Sequence, residues 1–445
     1  MPAPKYRKTP VTAAVASLIG STIEWYDFYI YATAVALVFN QIFFPRYNPA
    51  IGTLLAFGTY AVGAVMRPLG GIFFGHYGDR IGRKAMLVWT LVTMGSATVL
   101  IGLLPTYASI GVAAPILLVL LRSVQGAAFG GEWAGAALVA VEHAPDSKAG
   151  ILGSFPQMGS PIGLLMSTGT FSLLSALTKE NFVTWGWRLP FLASAILLVV
   201  GLVIRLKLLE SPAFAEVLEK GDISKAPVVE VLRDHFPRLA IGCGIILCTV
   251  VAFHVEAVFL VSYATQTVGV PRQAVLNALL VTSVFQIILL PSFAIMGDRL
   301  GIRAVALFGA LMTGICAFPF FWLVDLGTPR SITGGMCLGL IGIAALFSVL
   351  PPLLSSLFDP RLRYSGMSLS YGVAAGVVGG ISPLLSGTLY VWAKAAWPIA
   401  LLVLLASLIS ALSILWSSSS GMIRGSEGAI VPLGPHAGQI VDWSN

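Results

Sequence analysis

The chain is predicted to be an all-α membrane protein, with twelve transmembrane helices in two pseudo-symmetric six-helix bundles. Three observations carry that prediction. Hydrophobic residues make up 57% of the 445 and charged residues only 10%, with a mean hydropathy of +0.89. A soluble domain carries about 25% charged residues, so a chain this apolar could not cover its own surface in water. The apolar residues also fall into twelve stretches long enough to cross a bilayer. Finally, GHYGDRIGRK, from Gly75 to Lys84, recurs in weaker form as MGDRLGIR, from Met296 to Arg303, with Asp79 and Asp298 219 positions apart. A charged turn repeated at half the chain length is most simply two homologous bundles with a site between them.

A spanning helix needs about 20 mostly apolar residues. The twelve stretches run over 12–39, 50–75, 85–104, 111–141, 149–174, 189–208, 238–264, 274–297, 303–325, 331–357, 364–391 and 394–416. The first is too long for a cleaved signal peptide and carries Glu24 and Asp27 at its centre. The division that follows is an N-terminal bundle over 1–208, a cytoplasmic linker over 209–237, a C-terminal bundle over 238–416 and a flexible cytoplasmic tail over 417–445. The linker opens with ESPAF, Glu210 to Phe214, whose Ser211-Pro212 step fits the start of a short surface helix.

With both termini placed in the cytoplasm, eighteen Lys and Arg residues fall on the cytoplasmic side, counting Arg205 with the linker, and six fall outside. That asymmetry follows the positive-inside rule. The formal net charge of +7 is then topology and lipid contact rather than a nucleic-acid surface. The four cysteines lie in apolar stretches without metal-ligand spacing, and read as small buried hydrophobes.

Ionisable groups deep in a span cost several kcal/mol unless paired or hydrated, so they mark function first. Glu24 and Asp27 share one helix face, with Tyr31 a turn further on. They suit a proton carrier or a structural pair. Arg67, followed by Pro68 and two glycines, suits either a substrate carboxylate or neutralisation of Glu24 or Asp27. In the fourth span, Arg122 and Glu132 are ten residues apart, too far along the axis for one ion pair. Glu132 is either a proton group or a bridge to Arg67 or Arg188. In the seventh span His254 and Glu256 point to different faces, and Gln286 and Tyr371 are neutral groups suited to lining a cavity. In the repeated turns, Gly75, Gly78 and Gly82 permit a very short loop. Asp79 can cap a facing helix N-terminus, and Arg80, Arg83 and Lys84 can pair with Glu142. Asp298 and Arg299 hold the corresponding places in the second copy. Among these, the proton-coupling candidates are Asp27, Glu24, Arg122 and Glu132, and the substrate candidates are Arg67, Arg122, Tyr31, Gln286 and Tyr371. The chain has no Gly-Lys dipeptide and so no P-loop. It also shows no nucleophile–base set, no metal-ligand set and no cofactor motif, so no enzyme is expected.

These motifs resemble the major facilitator superfamily. Gly75 to Lys84 is similar to its loop between the second and third spans, and Arg122, Gln125 and Gly126 to its fourth-span motif, whose Arg the family implicates in proton coupling. IEWYDFYIY, RPLGG, GGEWAGA, WGWRLPF, ESPAF and RYSGMSLSY further resemble its metabolite:proton symporters. The resemblance covers about residues 15–416; FHVEAVF of the seventh span lies outside the matching motifs. It implies proton-coupled uptake of a small organic acid (shikimate-like, or a dicarboxylate or ketoacid) by a monomer in the bacterial inner membrane, with protons, the acid and lipid as its partners. A symporter of a zwitterion such as proline or betaine is the first alternative. A non-transporting sensor is the second, and it would be expected to carry a sizeable signalling domain, whereas only 29 residues follow Trp416.

Overall fold

Twelve helical spans account for the architecture, in a computed structural model that describes residues 10–178 and 181–419. Of the expected flexible tail over 417–445, residues 417–419 instead complete the last helix, and the rest, with the bases Lys5, Arg7, Lys8 and Arg424, and Lys179, lies outside the described residues. Among the described residues every regular element is helical, and ten helices are long and apolar enough to cross a membrane. The remaining two spans are the first, Pro10–Ala34, diluted by its polar residues, and the second, which is divided at Met66 into Pro49–Val65 and Arg67–Ile81. Pro68, in the first turn of the second piece, lacks the N–H that a continuous helix would need. Long apolar side chains such as Trp89, Ile196, Leu384 and Trp392 stand exposed on the outer surface, as a lipid-facing perimeter requires.

The N-terminal half continues with Arg83–Leu103, Ala113–Glu142, Ala149–Thr178 and Arg188–Leu206. Helices Pro212–Lys220 and Pro227–Asp234 then lead into the C-terminal half. Ser211 caps the first of these, its hydroxyl accepting from Phe214 N at 3.3 Å. Glu210 of ESPAF turns back to accept from Arg83 N at 3.0 Å, at the start of the third span. The C-terminal half comprises Phe236–His254 with its continuation to Thr267, Arg272–Leu300, Ile302–Asp325, Pro329–Ser355, Arg363–Tyr371 with its continuation to Ala393, and Trp397–Ser419.

The repeated turns are shorter than the sequence suggests. GHYGDRI is not a loop; it completes the second span to Ile81, and Gly82 alone makes the turn with φ +124°. Its counterpart Gly301, with φ +100°, does the same between the eighth and ninth spans. That backbone region is open to glycine and strained for other residues.

Candidate functional site

The face bearing these two turns is closed by a pair of equivalent contacts. Asp79 accepts from Tyr364 N at 3.1 Å and Ser365 N at 2.8 Å, capping the eleventh span from the second. Asp298 accepts from Gly150 N at 2.7 Å and Ile151 N at 2.9 Å, capping the fifth span from the eighth. Each carboxylate meets the positive end of a helix in the opposite half. Around Asp79, Arg83 lies 3.4 Å from the same carboxylate and 3.6 Å from Glu142, while Arg363 meets Glu142 at 2.9 Å. Arg80 and Lys84 do not reach Glu142. Arg80 is exposed beside His76, and Lys84 Nζ donates to Leu206 O. Gly75 packs against Ser365, and Arg299 is exposed. Above this closure Trp133 stacks on Tyr371 across the two halves, ring centroids 4.0 Å apart and planes 6° apart. Trp133 Nε1 donates to Gln157 Oε1 at 2.8 Å, and Gln157 Nε2 to Phe347 O at 3.0 Å. The Tyr371 ring is therefore held against an aromatic partner from the opposite half.

The buried charges of the N-terminal half separate into two groups, and the first overturns several expectations. Arg205, counted above among the cytoplasmic bases, does not face solvent. It lies inside the sixth span, 2% exposed, and its guanidinium donates to Glu24 at 2.9 Å and to Glu132. Thr90 also donates to Glu132, and Leu87 O takes a further guanidinium proton. Glu24 and Glu132 thus share one cation. The bridge joins neither Arg67 nor Arg188, since Arg188 donates to Gly102 O and Leu104 O. Glu24 and Asp27 are neighbours in sequence but belong to different networks.

Asp27 forms the second group. Its Oδ1 accepts from Ser194 at 2.6 Å and its Oδ2 from Thr98 at 2.9 Å. Gln125 Nε2 donates to Thr98 Oγ1 at 2.7 Å, and Arg122 Nη1 donates to Gln125 Oε1 at 2.6 Å. Asp27 and Arg122 are therefore joined by a two-residue relay rather than by contact. Both hydroxyls have a second acceptor: Met94 O lies 3.0 Å from Thr98 Oγ1, and Pro190 O lies 3.5 Å from Ser194 Oγ. Both can donate to an ionised Asp27; when it is protonated, one hydroxyl turns to its backbone acceptor and accepts the carboxyl O–H while the other still donates. The site is satisfied in either form.

Two guanidiniums face no carboxylate among the described residues. Arg122, 2% exposed, lies 4.2 Å from the centroid of the Tyr31 ring and 5.3 Å from that of Tyr60, and its Nε has no hydrogen-bond partner. Arg67, 5% exposed, lies 4.4 Å from the ring of Phe129. The Phe28 ring touches both, at 5.0 Å from Arg67 and 5.4 Å from Arg122. Arg67 therefore neutralises neither Glu24 nor Asp27. The eleventh span reaches Arg67 because Gly376 has no Cβ to collide with it. Tyr31 donates to or accepts from Thr59 at 2.6 Å. In the C-terminal half, Gln286 is buried. His254 Nδ1 lies 2.8 Å from Val250 O, its ring against Gly379, and Glu256 turns to another face.

Thr98, Ser194 and the cation Arg205 were missed by sequence reasoning. Single hydroxyls in apolar helices usually bond their own backbone, so Thr98 and Ser194 carry no signal. Arg205 had one: two buried carboxylates on different helices require a cation, and Arg205 follows an unbroken apolar run.

A family of sugar and other transporters matches residues 12–230. The inner membrane metabolite transport protein YhjE of Escherichia coli is 42% identical over 381 residues, which span 84% of this chain and 87% of that protein. The shikimate transporter of the same organism is 41% identical over 413 residues, 92% and 94% of the two chains. The proline/betaine transporter of Salmonella typhimurium is 32% identical over 387 residues, 85% and 77%. Among solved structures, the proton:xylose symporter XylE superposes with a TM-score of 0.71 at 17% identity, over 92% of this chain and 95% of that one. Fold and relatives are those of membrane transporters, not of enzymes.

Proposed function

Since the chain belongs to the major facilitator superfamily, among its metabolite transporters, we propose that it is a proton-coupled importer of a small organic acid. The observation that carries this reading is the pair Arg67 and Arg122. Each is buried, neither is offset by a carboxylate, and both rest on Phe28. Unpaired charge inside a membrane protein is expensive and functional, and an incoming carboxylate offsets it. The aromatic faces that would otherwise take a quaternary ammonium are occupied by these guanidiniums, which favours an acid over a zwitterion.

Asp27 is the proton carrier in this reading. Its hydroxyl partners serve the acid and the anion equally, and the relay through Thr98 and Gln125 couples its charge to Arg122. Proton and substrate enter from the outside, Asp27 takes the proton, and the acid binds at the arginines. Neutralising both charges permits the halves to rock and break the Asp79 and Asp298 caps on the cytoplasmic face. The protein then resides in the bacterial inner membrane with both termini cytoplasmic. Glu24 and Glu132, held by Arg205, serve as a structural bridge between the first, fourth and sixth spans. The decisive test is uptake of labelled organic acids, including shikimate, into proteoliposomes under an imposed pH gradient. Uptake of none of them, or uptake insensitive to a protonophore, refutes the proposal.

A further inference from the structure

The C-terminal half holds a buried carboxylate that the reading above does not use. Glu256 is 7% exposed and has no hydrogen bond or ion pair among the described residues. It lines a small cavity of about 30 Å³, set between the seventh, ninth, tenth and twelfth spans and walled mainly by Val255, Ala317, Phe320, Phe321, Ile343 and Val403. The backbone is specialised there too. The seventh span is α-helical to His254, and Val255–Phe259 forms a π-helical turn, a feature that concentrates at functional sites. The turn leaves His254 against Gly379 of the eleventh span and Glu256 against Gly339 of the tenth.

The geometry points to Glu256 as a second proton site, with a proton as the ligand of its carboxylate. A metal cation would need several oxygen ligands. The lining offers only Glu256 and the hydroxyl of Thr313, which already donates to Gly309 O at 2.8 Å. An organic cation would not fit, since a cavity of about 30 Å³ holds little more than one water. No charged side chain faces Glu256 from the packed elements among the described residues. The titratable groups near it are Cys316 on the ninth span and Cys337 on the tenth. On its own span, His254 bonds Val250 O and Tyr263 donates to Asp325 at 2.6 Å. A carboxylate left charged in such a place costs several kcal/mol, and binding one proton to one oxygen removes that cost. With Asp27 in the other half, each half then carries one exchangeable proton.

Two measurements on the full chain in lipid vesicles test this. Infrared difference spectra recorded as pH is raised should show neutral-carboxyl absorption being lost, with one carboxyl's share missing in Glu256→Gln and regained in Glu256→Asp. The second measurement, which rests on the symport reading, uses labelled shikimate as probe with the membrane potential clamped at zero. A pH unit is worth about 1.36 kcal/mol, so each coupled proton multiplies the limiting accumulation ratio by about ten per unit of gradient. Glu256→Gln should therefore accumulate about tenfold less than wild type per pH unit, while still exchanging internal for external shikimate. Infrared spectra of Glu256→Gln that match wild type overturn the proton site. A missing band with unchanged accumulation overturns its coupling. If wild type takes up no shikimate, the organic-acid reading is what suffers, and the infrared measurement alone decides the proton site.

Discussion

Replacing Asp79 with Asn should shift the protein toward a state open at the face carrying the repeated turns. The Asp79 carboxylate accepts two backbone N–H bonds from the opposite half, at 3.1 and 2.8 Å, and these exist only while that face is closed. Asn retains one acceptor oxygen and loses the charge. A hydrogen bond to a charged group contributes about 1.5–3 kcal/mol, so the closed state should lose roughly that amount. At 1.4 kcal/mol per factor of ten, the ratio of open to closed molecules should rise roughly 12- to 140-fold. Spin labels at the exposed positions Ile81 and Leu300, one in each half, report the change as a longer inter-label distance in a cysteine-free background. Asp298→Asn should act the same way through Gly150 and Ile151. The double variant should add to the effect, since the two caps share no partner. An unchanged distance distribution in a folded Asp79→Asn protein would refute the assignment of the caps as state-specific locks.

The remaining predictions concern the buried charges. Asp27→Asn should abolish accumulation of the organic acid against its gradient while leaving counterflow intact, because exchange needs no net proton release; an Asn variant that still concentrates its substrate removes Asp27 as the carrier. Arg122→Ala should lose accumulation and counterflow together, and Arg67→Ala should raise the half-saturating substrate concentration about 10- to 100-fold, the loss of one charged hydrogen-bonding group. Both are measured on vesicles with protein shown to be folded. Arg205→Met should lower stability by about 3–5 kcal/mol, since it leaves Glu24 and Glu132 buried without a cation. The triple change Glu24→Gln, Glu132→Gln and Arg205→Met should recover much of that loss in thermal unfolding, with transport retained. A triple variant that is stable but inactive would return Glu24 or Glu132 to the coupling machinery.

The membrane class, the twelve spans and the internal repeat were legible in the chain, because they depend on local properties. Apolar runs of about 20 residues satisfy the bilayer wherever they occur, and a glycine-bearing turn looks the same in both copies. The intramembrane charges were legible as a set for a similar reason: burying an ionisable group is costly whatever its partner. Which charge meets which was decided only by the tertiary structure. Glu24 and Asp27 stand one helical turn apart, yet the packing of the sixth span against the first sends one to Arg205 and the other to Ser194. Arg205, near the end of the sixth span, reads as a cytoplasmic base until that span is placed between Glu24 and Glu132. The relay from Asp27 through Thr98 and Gln125 to Arg122 joins the first, third and fourth spans, and no spacing within any one span encodes it. A hydrogen bond is directional and a few ångströms long, so its partner is set by helix rotation and register, which hydropathy leaves free.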